Sequence, residues 1–87
     1  MGKVLIVDDS PAELANLRTI LTDAGWHSVT ANNGSDAVAK AASEKPSLIL
    51  MDIIMPDMDG YEACRTLQQN PETKSIPVVF VSSKNQK

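Results

Sequence analysis

The sequence predicts an α/β fold built on a parallel sheet. Four short apolar segments have the length and composition of buried strands, and three segments with helical spacing of apolar residues separate them. Strands that alternate with helices in this way (β-α-β-α-β-α-β) indicate parallel pairing with right-handed crossovers. Since no repeat, low-complexity segment or linker interrupts the 87 residues, we expect a single domain over residues 1–87.

The first strand and the first helix have clear signals. Lys3–Val7 is apolar on both faces, which is typical of a strand covered by helices on both sides. Either Asp9 or Ser10 is expected to cap the helix that follows, and Gly25 ends it. Apolar residues at spacings of three and four form one face of this helix, namely Leu14, Leu17, Leu21 and Ala24.

The remaining elements follow the same logic. Residues 26–31 alternate weakly, which predicts a short second strand. After the Asn-Asn-Gly turn at residues 32–34, Ser35 is expected to cap a helix of small residues that Pro46 closes. The last three predicted elements are a strand at residues 48–51, a helix at residues 61–69 and a buried strand at residues 78–81.

Composition excludes several classes of function. The net charge is −3 and the eight basic residues are scattered, whereas nucleic-acid binding needs clustered Lys and Arg. No apolar run approaches the ~20 residues that span a bilayer, and the N-terminus has no signal-peptide pattern. The single cysteine, Cys64, gives no sign of an oxidising compartment. We therefore expect a cytoplasmic protein that binds neither nucleic acid nor membrane.

Polar residues follow three of the four predicted strands. Asp8 and Asp9 come after the first strand, Asp52 after the third, and Ser82 after the fourth. Because the ligand crevice of an open parallel sheet lies beyond the carboxyl ends of its strands, these side chains should meet at one edge. Crowded carboxylates repel each other, and a hard divalent cation relieves that repulsion. The cluster predicts Mg²⁺, which prefers oxygen ligands and often binds together with a phosphate.

Asp52 is the best candidate for a nucleophile, because it stands alone at the end of a predicted central strand. A carboxylate in this position can form an acyl phosphate, while the adjacent Asp8 and Asp9 are better suited to holding the metal. The Ser82 hydroxyl could donate a hydrogen bond to a phosphoryl oxygen only in the phosphorylated state. Ser82 is therefore predicted to act as a conformational switch. We expect self-phosphorylation and its reversal by hydrolysis, not an enzyme that turns over other substrates.

Three segments resemble the signature segments of CheY-like response-regulator receivers. They are VLIVDDS at residues 4–10, LMDIIMPDMDG at residues 50–60 and IPVVFVSS at residues 76–83. The middle one is very specific, and the resemblance covers the whole chain. Within this family, the sequence most resembles PilH-like members, which are stand-alone regulators of chemotaxis or twitching motility. The resemblance implies a flavodoxin-like (CheY-like), doubly wound α/β sheet with strand order 2-1-3-4.

The same resemblance implies roles for individual residues. Asp52 would be the phosphoacceptor, and Asp9 and Asp52 would be direct Mg²⁺ ligands. The backbone carbonyl of Ile54 would be a third ligand, and Asp8 would help through water. Ser82 would be the switch hydroxyl. The implied partners are a sensor histidine kinase or phosphotransfer protein as donor and a downstream output protein, in a two-component phosphorelay.

The sequence departs from the family pattern at its C-terminal end. Receivers continue through α4, β5 and α5, and the fifth strand ends in a Lys that contacts the phosphoryl group. This sequence stops just after the fourth strand, so we expect a C-terminally truncated, partial receiver. The fourth strand would then be an apolar edge, and such edges pair with other chains. A dimer or a domain-swapped assembly through this edge is expected.

Three other interpretations stay open. Without the Lys, the chain would be a phosphorylation-incompetent receiver fragment that serves as an oligomerising or interaction module. A metal-dependent phosphatase of the haloacid-dehalogenase type is disfavoured, because its second Asp would stand where this sequence has Ile54. A flavodoxin is also disfavoured, since acids follow the first strand in place of a phosphate-binding hydroxyl loop.

Overall fold

The computed structural model describes residues 2–53 and 60–81. Within them the chain forms the seven predicted elements in the predicted order. These are β1 (Lys3–Val7), α1 (Pro11–Asp23), β2 (His27–Ala31), α2 (Gly34–Glu44), β3 (Leu48–Met51), α3 (Gly60–Gln69) and β4 (Val78–Phe80). Among the described residues, none of the helices has the length and apolar character that crossing a membrane requires.

The four strands form one parallel sheet in the order β2-β1-β3-β4. In it β1 lies between β2 and β3, and Val7 is paired with Ala31 on one side and with Met51 on the other. The doubly wound order 2-1-3-4 that the resemblance implied is therefore confirmed. The chain runs outward from β1 to β2 and, in the other direction, from β3 to β4, so the order reverses between β1 and β3. A doubly wound sheet binds its ligands at that reversal point.

The core lies between the sheet and helices α2 and α3. Alternate residues of β1 and β3 point to this side, and the helices contribute mainly alanine, which lets them lie close to the strands. Nine buried residues of the described chain form this cluster: Leu5, Val7, Ala31, Ala37, Ala41, Ile49, Met51, Ala63 and Leu67. Buried packing thus anchors both strands whose ends carry the candidate acids.

The opposite face of the sheet is less covered in the part of the chain described. Helix α1 lies on it, but α1 has no buried residue, and its three leucines are half-buried. Leu48 and Leu50 of β3 are half-buried as well, and Val79 of β4, paired with Leu50, is 48% exposed. These three residues form an apolar surface that we call the open strip. Among the described strands, β4 therefore lies at the edge of the sheet and is partly exposed, as the sequence predicted.

One predicted helix cap is wrong. Ser10, one of the two residues expected to cap α1, is its N-cap. The cap of α2, however, is Asn33 and not Ser35, because the Asn33 side-chain oxygen accepts a 2.7 Å hydrogen bond from the backbone N–H of Asp36. Asn and Ser cap helices about equally well, so residue type did not decide between the two positions. The earlier start buries Gly34, the first residue of α2, against the core.

Candidate functional site

The parallel register brings Asp8, Asp9 and Asp52 together. Asp8 and Asp9 follow Val7, Asp52 follows Met51, and Val7 and Met51 are paired neighbours. The ladder continues into the acids, because the Asp52 N–H donates to the Val7 carbonyl at 2.9 Å and the Asp8 N–H donates to a β2 carbonyl at 3.1 Å. One carboxylate oxygen from each aspartate lies within 4.8 Å of the other two. The predicted gathering of these three residues at one sheet edge is therefore observed.

The three carboxylates differ in their access to solvent. Asp8 is 2% exposed and Asp52 is 3% exposed, whereas Asp9 is an exposed residue. Asp8 Oδ1 accepts a 2.9 Å hydrogen bond from the backbone N–H of Ser10, which fixes the orientation of that carboxylate. Like charges this close in a partly dry crevice repel each other, and a bound cation removes the repulsion. Among the three acids, Asp9 is therefore the one most exposed to solvent in the described chain.

The donor set fits Mg²⁺. Its oxygen ligands lie at about 2.0–2.1 Å in near-octahedral geometry, so two direct ligands are at most about 4.2 Å apart. Oxygens within 4.8 Å of one another need little movement to meet one ion, either directly or through a bound water. The cluster consists of carboxylates alone, and such hard donors favour Mg²⁺ over the metals that His and Cys select.

Two predicted site residues fall outside the described residues. Ile54, whose backbone carbonyl is a predicted ligand, follows the described residue Ile53, and Ser82, the predicted switch hydroxyl, follows Val81. The Val81 N–H donates to the Met51 carbonyl at 2.8 Å, so the chain leading to Ser82 runs beside the strand of Asp52. Both roles stay predictions.

Gly60 is a neighbour of the site whose contact the sequence analysis missed. Its N–H donates a 2.6 Å hydrogen bond to the Ile53 carbonyl, and its Cα lies against the backbone of Asp52. Helix α3 therefore begins in direct contact with the residue proposed to carry the chemistry. The Asp-Gly pair at residues 59–60 is typical of a turn, but it does not tell which part of the backbone the glycine approaches.

Comparisons with known proteins agree with this geometry. A family model described as "Response regulator receiver domain" matches residues 4–87. Protein PilH of Pseudomonas aeruginosa is 46% identical over 86 residues, which make up 99% of this chain and 71% of PilH. Protein PilG of the same organism is 41% identical over 83 residues, 95% of this chain and 62% of PilG. The chain thus spans between about three-fifths and three-quarters of the length of these two relatives.

A solved structure shows the same fold. The N-terminal domain of a response regulator receiver protein from Methanoculleus marisnigri JR1 superposes with a TM-score of 0.93 at 32% sequence identity. The superposition covers 100% of this chain and 71% of that one. Similarity in sequence and in fold therefore points to the same family that the three signature segments indicated.

Replacing Asp52 by Asn should change metal affinity and stability in opposite directions. Loss of one ligand charge should weaken Mg²⁺ binding by roughly tenfold or more. In metal-free solution, removing a like charge from the cluster should stabilise the fold by on the order of 1 kcal/mol. Calorimetric Mg²⁺ titration and urea unfolding in chelator measure the two effects.

Asp23→Asn is the matched control for this test. It changes the net charge equally, but Asp23 is exposed at the end of α1, outside the cluster. The control should bind Mg²⁺ like the parent. Equal Mg²⁺ affinity in the parent, the Asp52 variant and the control would contradict the assignment of the site.

Proposed function

The chain belongs to the response regulator receiver domain family, and from this premise we propose that Asp52 accepts a phosphoryl group from a sensor histidine kinase or a phosphotransfer protein. The observation that carries the proposal is the cluster of three carboxylates, within 4.8 Å of one another, at the ends of β1 and β3. The 46% identity with PilH supports a regulator of that type, which passes its signal to an output protein.

Asp52 is the nucleophile in this proposal. A carboxylate oxygen of Asp52 forms a bond to phosphorus, the P–N bond of the donor's phosphohistidine breaks, and the released imidazole takes up a proton. The product is an acyl phosphate on Asp52. Attack by water on that phosphorus later returns the carboxylate and inorganic phosphate, so the chain resets itself and needs no other substrate.

The neighbouring acids hold the metal. Bound Mg²⁺ would neutralise the charge of the transferred group, which dominates catalysis of phosphoryl transfer. Asp9 and Asp52 would bind the ion directly, with Asp8 acting through water. The buried Asp8 accepts a hydrogen bond from the Ser10 N–H, which would keep its carboxylate oriented at the metal site. The backbone hydrogen bond from the Asp52 N–H to the Val7 carbonyl holds the main chain of the nucleophile in place.

Phosphorylation would change the surface around β4. In the proposal, Ser82 donates its hydroxyl hydrogen to a phosphoryl oxygen on Asp52 and thereby draws the chain after Val81 toward the site. The hydrogen bond between Val81 and Met51 supports this, because it sets the strand path next to Asp52. The resulting change in surface shape alters the affinity for the output protein.

A second function, self-association, is favoured by the edge strand. Among the described strands β4 pairs with β3 alone, and the open strip of Leu48, Leu50 and Val79 adjoins it. A second copy that pairs antiparallel with β4 across a two-fold axis, or one that exchanges an element, would cover both features. A chain that associates in this way without taking up phosphate would be an interaction module.

Phosphorylation can be tested by intact mass spectrometry after incubation with Mg²⁺ and a small-molecule phosphodonor. We expect the parent and the Asp23→Asn control to gain one phosphoryl group and Asp52→Asn to gain none. A parent that binds Mg²⁺ and is folded by circular dichroism, but gains no phosphoryl group, would contradict the phosphoacceptor proposal and favour the interaction module.

Self-association can be tested by analytical ultracentrifugation of Val79→Lys. A charge at the centre of the edge strand should block pairing, so the variant should sediment as a monomer where the parent is a dimer. Ile20→Lys is the control, since Ile20 is similarly exposed (54%) but lies on α1. A monomeric parent at high concentration, or equal loss of the dimer in both variants, would rule out pairing through β4.

A further inference from the structure

We propose that Gly60 is a positioning residue that fixes the main chain of Asp52. In this proposal, the absence of a side chain at position 60 lets the Asp52 carboxylate keep its place in the acidic cluster. The inference rests on the proposed role of Asp52 in holding Mg²⁺ and accepting a phosphoryl group, and it adds a residue from another element to that site.

The contacts of Gly60 are with main chain. A Cβ atom at this position would lie 2.6 Å from the carbonyl oxygen of Asp52 and 2.9 Å from the Cα of Ile53. Both distances are under 3.0 Å, a separation that real Cβ atoms essentially never show. Because the neighbours are backbone atoms, they cannot turn away as a flexible side chain would. Any residue other than glycine must therefore displace the Asp52–Ile53 peptide or helix α3.

Helix α3 has little freedom to move. A Cβ atom at position 60 would also lie 3.2 Å from the Phe80 ring. That ring packs against Tyr61, with ring centroids 4.9 Å apart. Ala63 and Leu67 anchor the next turns of α3 in the core, where they are 0% and 1% exposed. Displacement therefore falls on the peptide that follows Asp52.

That peptide is attached closely to the site. The Asp52 N–H is bound to the Val7 carbonyl, and the preceding residue, Met51, accepts from the Val81 N–H at 2.8 Å. These two hydrogen bonds fix the main chain up to Asp52, and Gly60 lies against the peptide that follows it. Mg²⁺ demands near-ideal octahedral geometry, so a shift of a few tenths of an ångström at Asp52 disturbs metal binding before it disturbs the fold.

Backbone conformation does not explain why position 60 is a glycine. Among the described residues, Gly25 is the glycine with a left-handed backbone (φ 91°), whereas Gly60 begins a helix. Close approach, not conformational freedom, therefore accounts for Gly60. The two glycines provide a matched pair of substitutions: Gly60→Ala strains the site, and Gly25→Ala strains the turn after α1, which is distant in the fold from the acids.

The test compares Mg²⁺ affinity with stability in these two variants. We expect Gly60→Ala to bind Mg²⁺ roughly tenfold more weakly or worse, and to phosphorylate more slowly even at saturating Mg²⁺. Gly25→Ala should unfold at lower urea and yet bind Mg²⁺ like the parent. Parent-like Mg²⁺ affinity in Gly60→Ala, or an equal loss of affinity in Gly25→Ala, would overturn the inference.

A double variant separates the two close contacts of a side chain at position 60. Phe80→Ala added to Gly60→Ala opens space on the ring side and leaves the contact with Asp52. We expect Mg²⁺ binding to stay weak in the double variant. Recovery of parent affinity would show that glycine serves the ring contact and would overturn the inference.

The outcomes distinguish this inference from the proposed function. A parent that binds Mg²⁺ but takes no phosphoryl group contradicts the phosphoacceptor role, and the Mg²⁺ affinities still decide the role of Gly60. A parent that is phosphorylated, with a Gly60→Ala variant of equal Mg²⁺ affinity, contradicts the positioning role alone.

Discussion

The register between β1 and β3 is the constraint on which the rest of the structure depends. Pairing of Val7 with Met51 places the residues that follow them side by side, and those residues are the acids. The same register points Leu5 and Ile49 into the core, so a shift by one residue would turn the core outward and separate the carboxylates. Buried packing thereby holds together charges that repel one another when no cation is bound.

The two faces of the sheet contribute unequally to the site. The face under α2 and α3 is closely packed, and it anchors β1, β3 and the helix that begins at Gly60. The face under α1 is partly open in the described chain, where Leu48, Leu50 and Val79 form the open strip. The closed face therefore anchors the strands and the helix that border Asp52, and the open face is the one on which the proposed self-association would occur. One sheet can in this way serve both proposed functions.

Sequence patterns predicted the structural features that depend on local hydrophobic periodicity and on the direction of the strands. The bounds of β1 and β3 followed from apolar runs that acids terminate, and the meeting of Asp8 with Asp52 followed from parallel pairing alone. The patterns did not predict features that depend on distant contacts. Asn33 rather than Ser35 caps α2, and residue type could not decide between them because Asn and Ser cap helices about equally well. The leucines of α1 are only half-buried, since their burial depends on what covers the helix and not on their spacing.

In the proposed function, strand register brings Asp8, Asp9 and Asp52 together as a Mg²⁺ site. The most direct test is an anomalous difference map from crystals grown with Mn²⁺, which takes the same oxygen ligands and scatters anomalously. The account predicts one strong peak at the carboxyl ends of β1 and β3, within bonding distance of the Asp9 and Asp52 carboxylates. Crystals saturated with Mn²⁺ that show no peak between these carboxylates would contradict it.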